Sequence, residues 1–292
     1  MSDEETELAE ALVGSAKSAP KRGPRLCGTV AAAFAIAVVL LVLVSAVLIR
    51  RNNDTRMSRN ADVKKYERVD NEVLHDPETL VFVAYGQSNA DCCGEPGYTV
   101  KHPTKVLQYY DGNVYQMKEP MLNAVCDGGC IWSRLGDILV DKQPSRRVVF
   151  ATAAVPGVAI RYLLPNTAVG QEFEAMLKAL PTATVLFQQG ETDAALQTDP
   201  DDYAAMLHDI VRVAAAVATE GGETRVGVGT RHGTNLVPYE PVAAVQRQYA
   251  NGPDLDTLGT EFRWQGSFPH FNRRGLQEAA QRWALQIDVV NK

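Results

Sequence analysis

The chain has 292 residues, and its hydrophobic share of 46% is ordinary for a globular protein. Its formal net charge of -6 at pH 7 is mild, and no basic block or aromatic–basic interleaving follows residue 70. That argues against a nucleic-acid partner.

In chain order, residues 1–26 are polar, acidic and then basic, the pattern of a disordered tail. Residues 27–49 carry no charge and lie between Arg25 and the pair Arg50, Arg51. At about 1.5 Å per residue such a run spans a bilayer, and it lacks the polar face of a buried globular helix. It is too long, and starts too late, for a cleaved signal peptide. The flanking charges, Lys17, Lys21, Arg22 and Arg25 against Arg50, Arg51, Arg56, Arg59, Lys64 and Lys65, favour a cytoplasmic C-terminal side. The cysteines favour the opposite. Cys92, Cys93, Cys126 and Cys130 form an even set in two short polar segments, which suggests two disulfides and an oxidising compartment. Reduced thiols or zinc are the alternatives, but the adjacent Cys92 and Cys93 do not fit zinc spacing. The expectation is an extracytoplasmic domain on a single membrane helix. The pairing of the cysteines stays open.

Residues 50–76 are charged and read as a stalk, with the folded domain at 77–292. Within it, apolar runs predict central strands at 79–85, 148–155, 183–187 and 225–230. Amphipathic spacing predicts helices at 131–141, 171–180, 201–219, 241–249 and 274–289. Strands alternating with helices predict a parallel sheet in a doubly wound α/β domain.

Four segments sit where such a sheet presents its chemistry, after strand ends or ahead of the last helix. Gly86-Gln87-Ser88-Asn89 follows the first strand; Ser88 is a candidate nucleophile or a plain turn residue. It lacks the second glycine of a G-x-S-x-G elbow. Gly157 follows the second strand and can offer a backbone N–H to an oxyanion, or simply turn the chain. Gln189-Gly190-Glu191-Thr192-Asp193 follows the third. There Gln189 can donate an amide, while Glu191 and Asp193 are helix caps or groups that orient the site. Phe268-Pro269-His270-Phe271-Asn272 precedes the last helix, and His270 is a candidate base. Together these supply a nucleophile, oxyanion donors and a base from one sheet edge, the set acyl transfer needs.

In this combination and order, over residues 78–288, the motifs resemble the SGNH hydrolases, specifically the sialate O-acetylesterase and acetyl xylan esterase branch. The resemblance implies a three-layer α/β/α, flavodoxin-like fold and hydrolysis of acetyl esters on sugars without metal or organic cofactor. It implies that Ser88 attacks and His270 takes the proton. The backbone N–H groups of Ser88 and Gly157, with the Gln189 side chain, would hold the oxyanion; Gln87 and Asn89 complete the nucleophile motif on its substrate side. One departure stands out. The family's acid lies three residues before the histidine, where this chain has Ser267. Three outcomes follow: a Ser–His dyad, a carboxylate supplied by Glu191 or else Asp193, or an inactive sugar-binding relic. A lipase or thioesterase would want an apolar acyl cleft, and the polar residues 91–95 beside Ser88 speak against one.

Overall fold

The computed structural model describes residues 63–288, apart from 181, 218–222, 234, 250 and 268. The expected membrane span at 27–49, the tail before it and residues 50–62 lie outside the described residues. Among the described residues no helix is long and apolar enough to cross a membrane.

The strand Thr79–Gly86 shows why the sheet is buried on both faces. Its side chains alternate. Val81, Val83 and Tyr85 enter one apolar cluster, and Phe82 and Ala84 enter the other. A strand covered on both sides has no polar face to keep, so its sequence runs apolar without alternation.

Seven strands form the sheet: β1 (Arg68–Val69), β2 (Thr79–Gly86), β3 (Val106–Tyr110), β4 (Asn113–Gln116), β5 (Arg147–Thr152), β6 (Thr184–Gln188) and β7 (Thr224–Gly227). Their spatial order is β1-β4-β3-β5-β2-β6-β7. From β3 to β7 all neighbours are parallel. β4 runs antiparallel to both β3 and β1.

Six α-helices are described. α1 (Ile131–Lys142) and α6 (Arg273–Asp288) cover one face, where Trp132, Leu135, Leu276 and Trp283 pack on Phe82, Ala84 and Phe150. α2 (Ala168–Ala179), α4 (Pro200–Val217) and α5 (Glu240–Arg247) cover the other. Their inward residues recur at helical spacing: Phe173 and Leu177, Tyr203, Leu207, Ile210 and Ala214, Val242 and Val245. The short α3 (Glu191–Leu196) sits directly after β6. The result is three layers, as the sequence implies.

Two expectations need correction. The sheet is mixed rather than wholly parallel, because a hairpin of β3 and β4 and the two-residue β1 form one edge. The segment expected as stalk also reaches into the domain. Arg68 and Val69 pair with Tyr115 and Val114, and Val69, Val73 and Leu74 pack against Leu107, Val114 and Val149. Those few apolar side chains are enough to draw 68–75 onto the sheet edge.

Candidate active site

Three of the four motif segments, 86–89, 155–158 and 188–193, meet at the carboxyl ends of β2, β5 and β6, and the hairpin that carries His270 docks on residue 95 after the first of them. Gly86 ends β2 with φ of +138°, and a Cβ there would fall 2.0 Å from the carbonyl oxygen of Gln188. Only glycine lets the β2 and β6 ends approach so closely. The backbone N–H of Gln87 donates to Gln188 O at 3.1 Å, and that of Val155 donates to Gly86 O at 3.0 Å. The nucleophile turn is thereby clamped between the Gly157 loop and the Gln189 loop.

Gln87 completes the clamp from its side chain. Its Oε1 accepts from the backbone N–H of Gly190 (3.3 Å) and Thr192 (3.2 Å) and from Gln189 Nε2 (3.2 Å). Asn89 donates from Nδ2 to Glu191 Oε1 at 2.6 Å. The two residues that flank Ser88 are therefore structural, and both turn into the protein.

Ser88 itself is different. Its hydroxyl and its backbone N–H have no hydrogen-bond partner among the described residues, nor has the N–H of Gly157. Gly157 is exposed, adopts φ of +74°, and would place a Cβ in open space. A left-handed glycine on an uncrowded edge presents its N–H with no side chain in the way.

Gln189, expected to give an amide to the oxyanion, is engaged elsewhere. It is completely buried, and its Nε2 faces Gln87 Oε1, Val158 O (3.2 Å) and Asp193 Oδ2, which together absorb both amide hydrogens. Its Oε1 accepts from the Tyr203 hydroxyl at 2.9 Å. The oxyanion role of its side chain is corrected to a brace beneath the site.

The candidate acids also separate. Asp193 accepts from Ile160 N at 2.8 Å and from the Thr198 hydroxyl at 2.8 Å, besides Gln189. It fixes the loop beyond Gly157 and does not bond His270. Glu191 bonds Asn89 and does not bond His270 either; its Oε2 has no partner among the described residues. Burial pushes the Glu191 carboxyl up to about 7, against the opposing pull of the Asn89 hydrogen bond. The group that does meet the imidazole is Ser267, whose Oγ lies 2.9 Å from His270 Nδ1.

His270 sits at the end of a tight hairpin. Trp264 N donates to His270 O at 2.7 Å, Asn272 N donates to Phe262 O at 2.9 Å, and His270 N donates to Ser267 O at 2.9 Å. Burial lowers the imidazole to about 4, and the Arg263 charge pushes the same way. A hydrogen bond from Ser88 to His270 is not formed. Asn89, next to Ser88, bonds Glu191, and the Arg263 guanidinium acts electrostatically on both Glu191 and His270. In addition, Glu95 N donates to Phe271 O at 2.9 Å, docking the hairpin on the residues that follow Ser88.

The cysteines pair as Cys92–Cys130 and Cys93–Cys126. Both bonds tie the nucleophile turn to the loop before α1, and Asp91 adds bonds from Val125 N (3.0 Å) and Cys126 N (2.9 Å). Asp91, Cys93 and Cys126 are close enough together to suggest a metal site, but both sulfurs are already committed to the disulfide.

Several supporting residues carry no motif. Trp132 donates to Ala90 O at 2.7 Å, anchoring α1 to the nucleophile turn. Gln246 donates to the Tyr203 hydroxyl at 2.8 Å and accepts from Gly229 N at 3.1 Å. A polar residue on the inward face of α5 was the available signal for Gln246. Arg263 is buried over the Phe271 ring at 4.2 Å and donates to Pro269 O and Leu258 O. Nothing in its sequence neighbourhood marks it.

No protein-family model and no curated protein sequence matches the chain. Solved structures do. A protein from Arabidopsis thaliana matches with a TM-score of 0.58 at 14% identity, covering 73% of this chain and 99% of its own. NanS matches with a TM-score of 0.50 at 13% identity, covering 73% of this chain and 98% of its own. Likeness at such identities speaks for the fold alone, a strand sheet layered between helices that this chain shares with both.

Proposed function

We propose that the chain is a serine esterase that removes O-acetyl groups from carbohydrates. The observation that carries this proposal is a selective one. Around Ser88 the neighbouring side chains Gln87, Asn89, Gln189, Glu191 and Asp193 are bonded to one another or to backbone, while the Ser88 hydroxyl and the N–H groups of Ser88 and Gly157 have no partner among the described residues. His270 is held at Nδ1 by Ser267, which leaves Nε2 to act.

In the proposed reaction, Ser88 Oγ attacks the acetyl carbonyl carbon and passes its proton to His270 Nε2. The oxyanion rests on the N–H groups of Ser88 and Gly157. The ester C–O bond breaks, and the Nε2 proton goes to the departing sugar oxygen. Water then repeats the sequence on the acetyl-enzyme and releases acetate. Sugar as the alcohol component is supported by the motif combination, which is that of the carbohydrate branch. Anchoring through residues 27–49 is supported by their uncharged length, and an extracytoplasmic position by the two disulfides.

Release of acetate from O-acetylated glycans by the full-length chain tests the proposal. Ser88→Ala is expected to slow it by about a thousandfold or more. Wild-type release no faster than the variant's would remove the enzyme. A second reading, a sugar-binding protein without turnover, is favoured by one observation: the imidazole partner is a hydroxyl instead of a carboxylate. Saccharide binding that survives Ser88→Ala, with no acetate release by either form, would support it.

A further inference from the structure

The hairpin that presents His270 also presents an aromatic ring. Arg263 and Phe271 form an antiparallel bridge, and their side chains stack on each other, turned into the protein. Next along the pair, Trp264 N donates to His270 O, so these two residues stand opposite each other. The hairpin thus sets Trp264 and His270 side by side across one pair.

The Trp264 ring is placed differently from the other two tryptophans. Trp132 and Trp283 are 0% exposed and hydrogen-bonded through their indoles. Trp264 is partly exposed, and its indole N–H has no partner among the described residues. It lies against Gly266, where a Cβ would come within 2.7 Å of the indole nitrogen. The missing side chain gives the ring a seat on its own hairpin. A large aromatic surface with a free polar handle, kept at a loop tip, calls for an occupant.

The proposed chemistry says which occupant. His270 hands its proton to the leaving oxygen, so the sugar must lie on the imidazole side of the site while the acetyl group lies on the Gly157 side. We infer that Trp264 is the platform for the leaving sugar, taking the apolar C–H face of a pyranose ring beside His270. It is a specificity residue that discriminates sugar acetates from acetates of small alcohols. This rests on the esterase proposal for its orientation but has its own readout.

The experiment compares two substrates, a mono-O-acetylated methyl pyranoside and ethyl acetate, on the full-length chain. Trp264→Ala is expected to lower kcat/KM on the pyranoside about tenfold, mostly through KM, and to leave ethyl acetate within about twofold. Trp264→Phe is expected to keep most of the pyranoside activity, which separates stacking from a folding defect. Equal losses on both substrates, or no loss on the pyranoside, would overturn the platform. If wild type cleaves neither ester, the esterase proposal has failed by itself. The platform is then decided by fluorescence titration with the same pyranoside: a change in the accessible indole emission that Trp264→Phe abolishes supports it, and no change up to the solubility limit overturns it.

Discussion

Gln87 draws its partners from residues 102 to 105 positions away, whereas His270 Nδ1 draws its partner from three positions back. The Ser88 turn is held by long-range bonds, two disulfides and a buried carboxyl at Asp193. The His270 side is held by one short hairpin, one serine hydroxyl and a long-range bond, Glu95 N to Phe271 O, with the Arg263 cation opposing its protonation. Ser88 is positioned by bonds from across the fold; His270 is positioned mainly by its own hairpin and lacks a negative partner. Positioning and charge compensation are thus separate tasks, and this molecule completes the first more fully than the second.

The largest effect is expected from breaking the side that is fully built. Asp193→Ala would strand the N–H of Ile160, the hydroxyl of Thr198 and part of the Gln189 amide in the interior. The expected loss is about 3–5 kcal/mol in urea unfolding. A loss under about 1 kcal/mol would mean that the network is ornamental and the comparison misplaced.

Next comes Glu191, whose carboxyl is raised from 4.5 to about 7. A raised acid holds its proton in the folded state where the unfolded chain has released it. Stability therefore falls as pH rises from about 4.5 to about 7, by about 3 kcal/mol for such a shift, and is level above that. Glu191→Gln is expected to flatten that part of the profile. Unfolding midpoints for both forms at the two ends of the window check it, and parallel profiles would count against a buried acid here.

How much of this was legible follows the same division. The central strands and the paired helix layers stood out because burial on two faces leaves an unbroken apolar run. β3 and β4 did not: Gln108, Tyr110, Asn113 and Gln116 interrupt them, and Gln108, though buried, is tolerated because it bonds Gln116 O and Leu122 N. Residue types at the site were legible as motifs, because Ser88 and Gly157 stand just past strand ends and His270 just ahead of the last helix. Side-chain direction was not. Gln189 has the chemistry of an oxyanion donor, and only the presence of Asp193, Val158 and Gln87 beneath it turns the amide inward. Arg263 was invisible for the same reason, since its effect on His270 exists only through the fold.

The smallest change sharpens the comparison most: Ser267→Asp adds a negative partner to the base and leaves the nucleophile side untouched. In wild type the imidazole is lowered to about 4 by burial and by Arg263, and the Ser267 side chain offers no charge against them. A base works when unprotonated, so wild-type kcat/KM should reach half its plateau near pH 4 and stay level above it. A carboxylate at 267 would stabilise the imidazolium and raise the imidazole, moving that acid limb toward its ordinary range near 6.5. The same charge stabilises the imidazolium formed during attack, so the plateau should rise by about tenfold. The two profiles must then cross: the variant faster at neutral pH and slower at about pH 4–5. A wild-type limb already near 6.5, or a variant whose plateau does not rise, would show that the base is not short of charge and that the two sides are equally complete.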